Sequence, residues 1–315
     1  MIKGVIEGFY GPPWTHAERL DMLGFCGAEG LTTWVHAPKD DPYHRARWRD
    51  PYPDAELDRL RELVATAHAA GVELAYAIAP GLSIAYDSED DFRLLLAKCE
   101  QVRAIGADSI QLLWDDIESK DGAGQAAVSN RLARELPQEA LVICPVGYAG
   151  TEDTPYRRSL VAGLDPRIVV YWTGPEVVSH AIAREELDVA VARFGGHELL
   201  IWDNYPVNDF ASELLFLGPI RGRDPRLFEG RCAGLIANAM VQAVPSKLAL
   251  ATVADFLRDP ALYEPRTSFA RALERYGDEV VASLAVEPAA SERPDDLVAA
   301  LALGVDAATA AAWLR

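Results

Sequence analysis

The sequence predicts an α/β protein, a (β/α)8 TIM barrel with a short C-terminal helical extension, on three observations. Apolar, β-branched runs alternate with stretches of helical periodicity as far as residue 258. The runs recur about every 30–40 residues, one βα unit apart, and eight of them fit the roughly 250 residues of such a barrel. The residues with chemical potential fall just past the C-terminal ends of the runs, the face on which these barrels build their sites. A doubly wound sheet is the main competitor. It normally has fewer strands and a GxGxxG phosphate turn, which this chain lacks.

The first run, residues 4–9, meets Tyr10-Gly11-Pro12-Pro13, and Thr15-x-x-Glu18 then reads as a capping box opening a helix with Leu20, Leu23 and Cys26 inward. Run two (31–37) stops at Pro38-Lys39-Asp40-Asp41, ahead of a helix carrying Leu57, Leu60, Leu63, Val64 and Ala67. Run three (72–79) stops at Pro80-Gly81, and Ser88 caps the helix bearing Phe92, Leu95, Leu96, Cys99 and Val102. Run four (110–114) ends in Asp115-Asp116, run five (140–144) in Pro145 to Tyr148, and run six (167–171) in Trp172-Thr173-Gly174-Pro175. Run seven (199–202) exits at Asp203-Asn204-Tyr205-Pro206 and run eight (232–237) at Asn238. Residues 1–258 thus form the expected barrel. The Ala-rich tail, 259–315, is expected to fold as two to four short helices packed on the barrel or on a partner chain.

Lys plus Arg number 30 against 48 Asp plus Glu, a formal charge of −18, which opposes binding to nucleic acid or an anionic membrane. The one basic cluster, His44-Arg45-Ala46-Arg47-Trp48-Arg49, reads as a solvated loop or ion-pair donor. No apolar stretch is long enough to span a membrane, and the N-terminus has no signal-peptide pattern, so a cytoplasmic location is expected. Cys26, Cys99, Cys144 and Cys232 sit among apolar neighbours without metal-ligand spacing, as buried thiols do. Neither metal nor cofactor is expected, the sparse histidines forming no HExxH, and without a GxSxG no serine nucleophile is expected either.

The stretch around which the chain is organised is 111–118, where an apolar strand ends in two adjacent carboxylates. Within a strand, Asp115 and Asp116 would point to opposite faces; where the strand opens into a loop, both can reach one site. Crowding two negative charges makes sense if one carboxyl must carry a proton while the other stays charged. The bland alternative is an acidic surface loop beside a helix cap. The companions at other strand exits are Lys39, Tyr148, Trp172, Trp202, Asn204, Asp209 and Asn238, a set suited to a sugar ring with apolar faces and hydroxyl edges. Here too plainer roles compete. Trp114, Trp172 and Trp202 could cap the core, Asn204 and Asn238 could cap helices, and Lys39 could pair with Asp40 or Asp41.

A retaining glycosidase usually places its two carboxylates about 5 Å apart across the scissile bond, from different strands. Neighbouring aspartates instead suit substrate assistance, in which a 2-acetamido oxygen attacks C1 and the protein needs no nucleophile. The segments Gly4-Val5-Ile6-Glu7-Gly8-Phe9-Tyr10-Gly11-x-Pro13-Trp14, Ala37-Pro38-Lys39-Asp40-Asp41 and Trp114-Asp115-Asp116-Ile117 resemble glycoside hydrolase family 84. So do Trp172-Thr173-Gly174-Pro175, Ile201-Trp202-Asp203-Asn204 and Asn208-Asp209, in order over residues 3–257. This is the family of O-GlcNAcases and bacterial β-N-acetylglucosaminidases, some called hyaluronidases.

The resemblance implies a retaining exo-β-N-acetylglucosaminidase acting through an oxazoline, with a GlcNAc-bearing glycan or glycopeptide as partner. By it, Asp115 orients the acetamido group, Asp116 is general acid and then base, and Tyr148 hydrogen-bonds the acetamido oxygen. Gly8, Lys39, Asn204, Asp209 and Asn238 hold the sugar, and Trp202 lines the pocket. The chain departs from the family pattern at Val146-Gly147, where Thr-Glu is common, and at Ala239, where Pro is common. The rival expectations are a catalytically silent glycan-binding barrel and a hyaluronidase acting on a polymer.

Overall fold

The computed structural model describes residues 1–136, 140–284, 304–306 and 309. In order, it contains β1 (Ile2–Glu7), α1 (His16–Glu29), β2 (Thr33–His36), α2 (Asp54–Ala69), β3 (Glu73–Ile78), α3 (Glu89–Ala104), β4 (Ser109–Leu113) and α4 (Gly122–Glu135). There follow β5 (Val142–Cys144), α5 (Pro155–Gly163), β6 (Val169–Trp172), α6 (Arg184–Arg193), β7 (Leu199–Asp203), the short β8 (Leu214–Leu215), β9 (Cys232–Asn238), α7 (Ala243–Arg258), α8 (Pro265–Ser283) and β10 (Val305–Asp306). Strands β1 to β7 and β9 close a barrel in sequence order, every pair parallel, with β1 sealing against β9 through Ile2↔Gly234 to Ile6↔Asn238. This is the (β/α)8 barrel that the spacing of the runs predicts.

Two apolar layers follow from strand alternation. One set of side chains, including Ile6, Val35, Ala75, Ala77, Leu113, Tyr171, Trp202 and Ile236, packs together in the barrel interior. Within this layer the rings of Tyr171 and Trp202 meet edge to face at 5.2 Å. The one long polar group among them, Gln111, accepts a 2.8 Å hydrogen bond from the Tyr171 hydroxyl, so its burial carries no unpaired oxygen. The opposite strand faces pack on the helices, and Trp34, Trp114 and Trp172 are fully buried there.

Local signals set the helix ends. The Thr15/Glu18 capping box forms in both directions, Gly30 closes α1 in the left-handed region at φ 75°, and Ser88 caps α3. Strand β1 stops at Glu7, two residues before the apolar run does, which frees Gly8 and Phe9 to begin the first site loop.

Of the tail, the described residues include one helix of 19 residues, α8, and the expected number of helices falls largely on residues outside those described. Asp255 of α7 accepts from Ser268 (2.8 Å) and Arg271 (2.7 Å), while Arg275 pairs at 2.7 Å with buried Glu29 of α1. Helix periodicity reveals that a tail will be helical, but not where one helix stops. β10 pairs antiparallel with β8, a contact between residues far apart in sequence that no local pattern encodes. The Ala-rich stretches 299–303 and 307–312 lie, apart from residue 309, outside the described residues.

Candidate active site

At the C-terminal mouth of the barrel is a cavity of about 460 Å³, and all nine residues predicted for the site line it. They are Gly8, Lys39, Asp115, Asp116, Tyr148, Trp202, Asn204, Asp209 and Asn238. The ladder of β4 continues one step beyond the strand, through Trp114 N–H to the Cys144 carbonyl (2.7 Å). Asp115 follows, buried, and Asp116 then takes φ 53°, the only non-glycine at positive φ among the described residues. Aspartate tolerates the left-handed region better than most residues. That turn brings two consecutive side chains, opposed in a strand, into one cavity.

Each carboxylate has its own surroundings. Asp115 Oδ2 forms a buried ion pair with Lys39 Nζ, and Asp115 Oδ1 is buried with no hydrogen-bond partner among the described residues. Burial works against the charge on Lys39, but Asp115, with Tyr10 and Asp116 adding, holds its ammonium above the ordinary lysine value. Lys39 therefore pairs with neither Asp40 nor Asp41. Asp41 instead accepts from Tyr52 Oη (2.6 Å) and Tyr43 N (2.8 Å). Asp116 is exposed, and each of its oxygens accepts from a phenol at 2.9 Å: Oδ1 from Tyr148 and Oδ2 from Tyr10. Burial first, and then the Asp116 charge, push the Tyr148 phenol well up, so it stays a donor at any physiological pH.

A chain of hydrogen bonds holds the opposite wall. Gly8 N–H donates to Asn238 Oδ1 (3.2 Å), and Asn238 Nδ2 donates to Asn204 Oδ1 (2.9 Å), which also accepts from Trp202 Nε1 (3.0 Å). Asn204 Nδ2 donates to the Val177 carbonyl (2.8 Å). The asparagines are thus struts of the cavity wall rather than helix caps. Gly8 is required by space, since a Cβ there would lie 2.6 Å from the Trp202 ring. Half-buried Asp209 accepts from Tyr10 N–H (2.8 Å), whereas its neighbour Asn208 is a buried strut bound to Leu214 O, Gln242 and Val241 N. Of the strand-end tryptophans only Trp202 reaches the cavity. Trp114 and Trp172 are core, with their indole N–H groups on Ser129 and Gly150.

Sequence reasoning missed two residues. Tyr10 sits inside a segment already singled out, but nothing in that segment marks its hydroxyl for the Asp116 carboxylate. Arg45 belongs to the basic cluster read as a solvated loop or ion-pair donor. Arg47 and Arg49 do form ion pairs, with Asp50 and Asp91, but Arg45 is buried and reaches the Tyr10 hydroxyl (2.6 Å) and the Asp116 carbonyl (3.1 Å). A basic stretch cannot reveal which of its members turns inward. Among the described residues no group of three His, Cys, Asp or Glu is placed to hold a metal ion, and no helix is long and apolar enough to cross a membrane.

A closed (β/α)8 barrel with paired carboxylates and an amide-lined cavity at its C-terminal mouth is the construction of a glycoside hydrolase. Residues 3–287 match the sequence profile of the β-N-acetylglucosaminidase family, and the chain belongs to that family, glycoside hydrolase family 84. It is 34% identical over 276 residues to the Protein O-GlcNAcase of Rattus norvegicus and to that of Mus musculus, covering 82% of this chain and 30% of theirs. Among solved structures, CpGH84B superposes with a TM-score of 0.85 at 36% identity, covering 90% of this chain and 53% of its own. An O-GlcNAc hydrolase of Thermobaculum terrenum, solved as an aspartate-to-asparagine mutant, gives 0.83 at 35% identity, with 90% and 64% covered. The chain thus spans less than a third of the length of the rodent proteins.

Proposed function

We propose that this chain is a retaining exo-β-N-acetylglucosaminidase that releases terminal β-linked GlcNAc, O-GlcNAc on peptides included, by substrate-assisted catalysis. The observation that carries the reading is the buried, unpartnered Oδ1 of Asp115 beside a carboxyl held by two phenols. A buried acceptor without a donor is costly, and an acetamido N–H is the donor that would satisfy it.

In the first step the acetamido carbonyl oxygen forms a bond to C1 while the C1–O bond to the leaving group breaks. Asp116 gives its proton to the departing oxygen. Asp115, already charged against Lys39, takes the hydrogen bond from the acetamido nitrogen as positive charge develops there, and Tyr148 steadies the acetamido oxygen. In the second step water attacks C1 of the oxazoline, Asp116 takes its proton, and the ring opens with configuration retained. Gly8, Lys39, Asn204, Asp209 and Asn238 hold the sugar, with Trp202 along the pocket wall.

A thiazoline analogue of GlcNAc resembles the bicyclic intermediate and should inhibit far below the substrate KM. Aryl glucosides lacking the acetamido group should not turn over. A covalent glycosyl-enzyme trapped by a 2-fluoro sugar would sink the reading, and GlcNAc binding without any hydrolysis would make the chain a silent binding barrel.

A further inference from the structure

One well-connected residue of the site, Tyr10, is left idle by the proposed reaction. Tyr10 Oη donates to Asp116 Oδ2 and accepts from Arg45 Nη1, while its backbone N–H donates to Asp209. Arg45 Nη2 donates to the Asp116 carbonyl, clamping the peptide at the left-handed residue. A guanidinium has no acceptor atom, so the Arg45–Tyr10 bond has only one direction. With Arg45 donating to its oxygen, the phenol directs its single proton at Asp116 Oδ2. A proton on Oδ2 would exchange the charged acceptor facing this phenol for a weaker one.

We propose that Tyr10, oriented by Arg45, is a positioning residue that keeps Asp116 Oδ2 a permanent acceptor and so confines the exchangeable proton of Asp116 to Oδ1. This rests on Asp116 being the general acid and base. Oδ1 is the oxygen bonded to Tyr148, and so lies on the side where the reading above puts the acetamide. When Tyr148 turns to the substrate, Oδ1 loses its donor while Oδ2 keeps its own. That leaves Oδ1, the oxygen on the substrate side, as the one without a standing donor.

The groups facing Asp116 are Arg45 and Lys39 from the loop after β2, Asp115 beside it, Tyr10 after β1, and Tyr148 and Cys144 at the end of β5. Among the described residues only the two phenols hydrogen-bond its carboxylate. Deleting the Tyr10 hydroxyl removes a bond that favours the charged form. The alkaline limb of the kcat profile, which tracks loss of the acid's proton, should move up by about one pH unit.

The test is the pH profile of kcat, and its leaving-group dependence, for the full chain and for Tyr10→Phe, Arg45→Met and Arg45→Lys. Tyr10→Phe keeps the amide on Asp209, and Tyr10 is 41% exposed, so the fold should tolerate it. Expected are a raised alkaline limb and about tenfold or greater loss on alkyl glycosides, with activated aryl glycosides largely spared. Arg45→Met should move the limb the same way, and Arg45→Lys should restore most of it. An unmoved limb with equal losses across leaving groups would overturn the proposal. Asp116→Asn, run alongside, separates the two failures. If it shows leaving-group dependence while Tyr10→Phe leaves the limb unmoved, only the role of Tyr10 falls; if it shows none, the assignment of Asp116 falls and this inference with it.

Discussion

Lys39 and Asp115, brought together from the ends of β2 and β4, bury their charges against each other and engage only one oxygen of the carboxylate. Removing one partner of a buried pair strands the other charge, at a cost of about 3–5 kcal/mol. Lys39→Met should lower stability to urea by that order and abolish turnover. Because the Lys39 ammonium is held above its ordinary value, its stabilisation is fully present below the ordinary lysine pKa and lost as pH rises through the folded value. The gap between variant and parent should therefore stay constant from about pH 6 to 9 and close only in stronger alkali.

The two aspartates should separate by leaving group. Asp116→Asn should slow alkyl glycosides by about 10²–10⁴-fold and activated aryl glycosides much less, since the latter hardly need a proton. Asp115→Asn should slow both classes alike, because attack by the acetamide is impaired whatever departs. Interchanged behaviour would reverse the two roles.

His44 is fully buried, bonded by Nδ1 to the Ala77 carbonyl, and burial together with Lys39 lowers its pKa to about 4. The unfolded chain binds this proton from about pH 6.5 downward and the folded chain does not, so stability is lost as pH falls through that window. Buried His36 adds a second loss of the same sign, and Glu7, whose carboxyl is raised by burial, opposes both. The difference in unfolding free energy between parent and His44→Gln isolates the first. It should shift by about 1–3 kcal/mol between pH 7 and 4, and a flat difference would refute the assignment.

Hyaluronan should be a poor substrate. Among the described residues the cavity is lined by one cation, Lys39, against Asp115, Asp116 and Asp209, and that cation is already paired, in a chain of charge −18. Repulsion of a polyanion should dominate, most of all at low salt. Viscometry of hyaluronan beside release of a fluorogenic GlcNAc aglycone, at low and moderate salt, decides the matter. Rapid depolymerisation at low salt would restore the polymer as substrate.

The barrel was legible because its signals are local: periodicity, the Thr15/Glu18 box, and punctuation at strand ends. Boundaries moved by up to two residues, since an apolar run such as 4–9 does not say where ladder pairing ceases. Much of the cavity wall was legible because barrel topology sends every strand exit to one face, so Lys39, Asn204 and Asn238 had to be neighbours, while Gly8 came from the family resemblance alone. Tyr10 and Arg45 were not, because their roles depend on where two flexible side chains turn once the loops have folded. The β8–β10 pairing was hidden for a similar reason, joining residues 214–215 to 305–306 across a sequence separation no local rule spans.

The left-handed turn at Asp116 has one more effect. Because the two carboxyls are chain neighbours, a single planar peptide unit gauges their spacing, and breathing of the barrel carries them as one body. The residues proposed to hold the sugar arrive from other strands and are tied in by hydrogen bonds and packing. Warming below the melting point should therefore loosen the grip on the sugar before it disturbs the spacing of the pair. KM should climb with temperature while kcat still follows an undisturbed Arrhenius line, and a break in kcat ahead of any rise in KM would count against it.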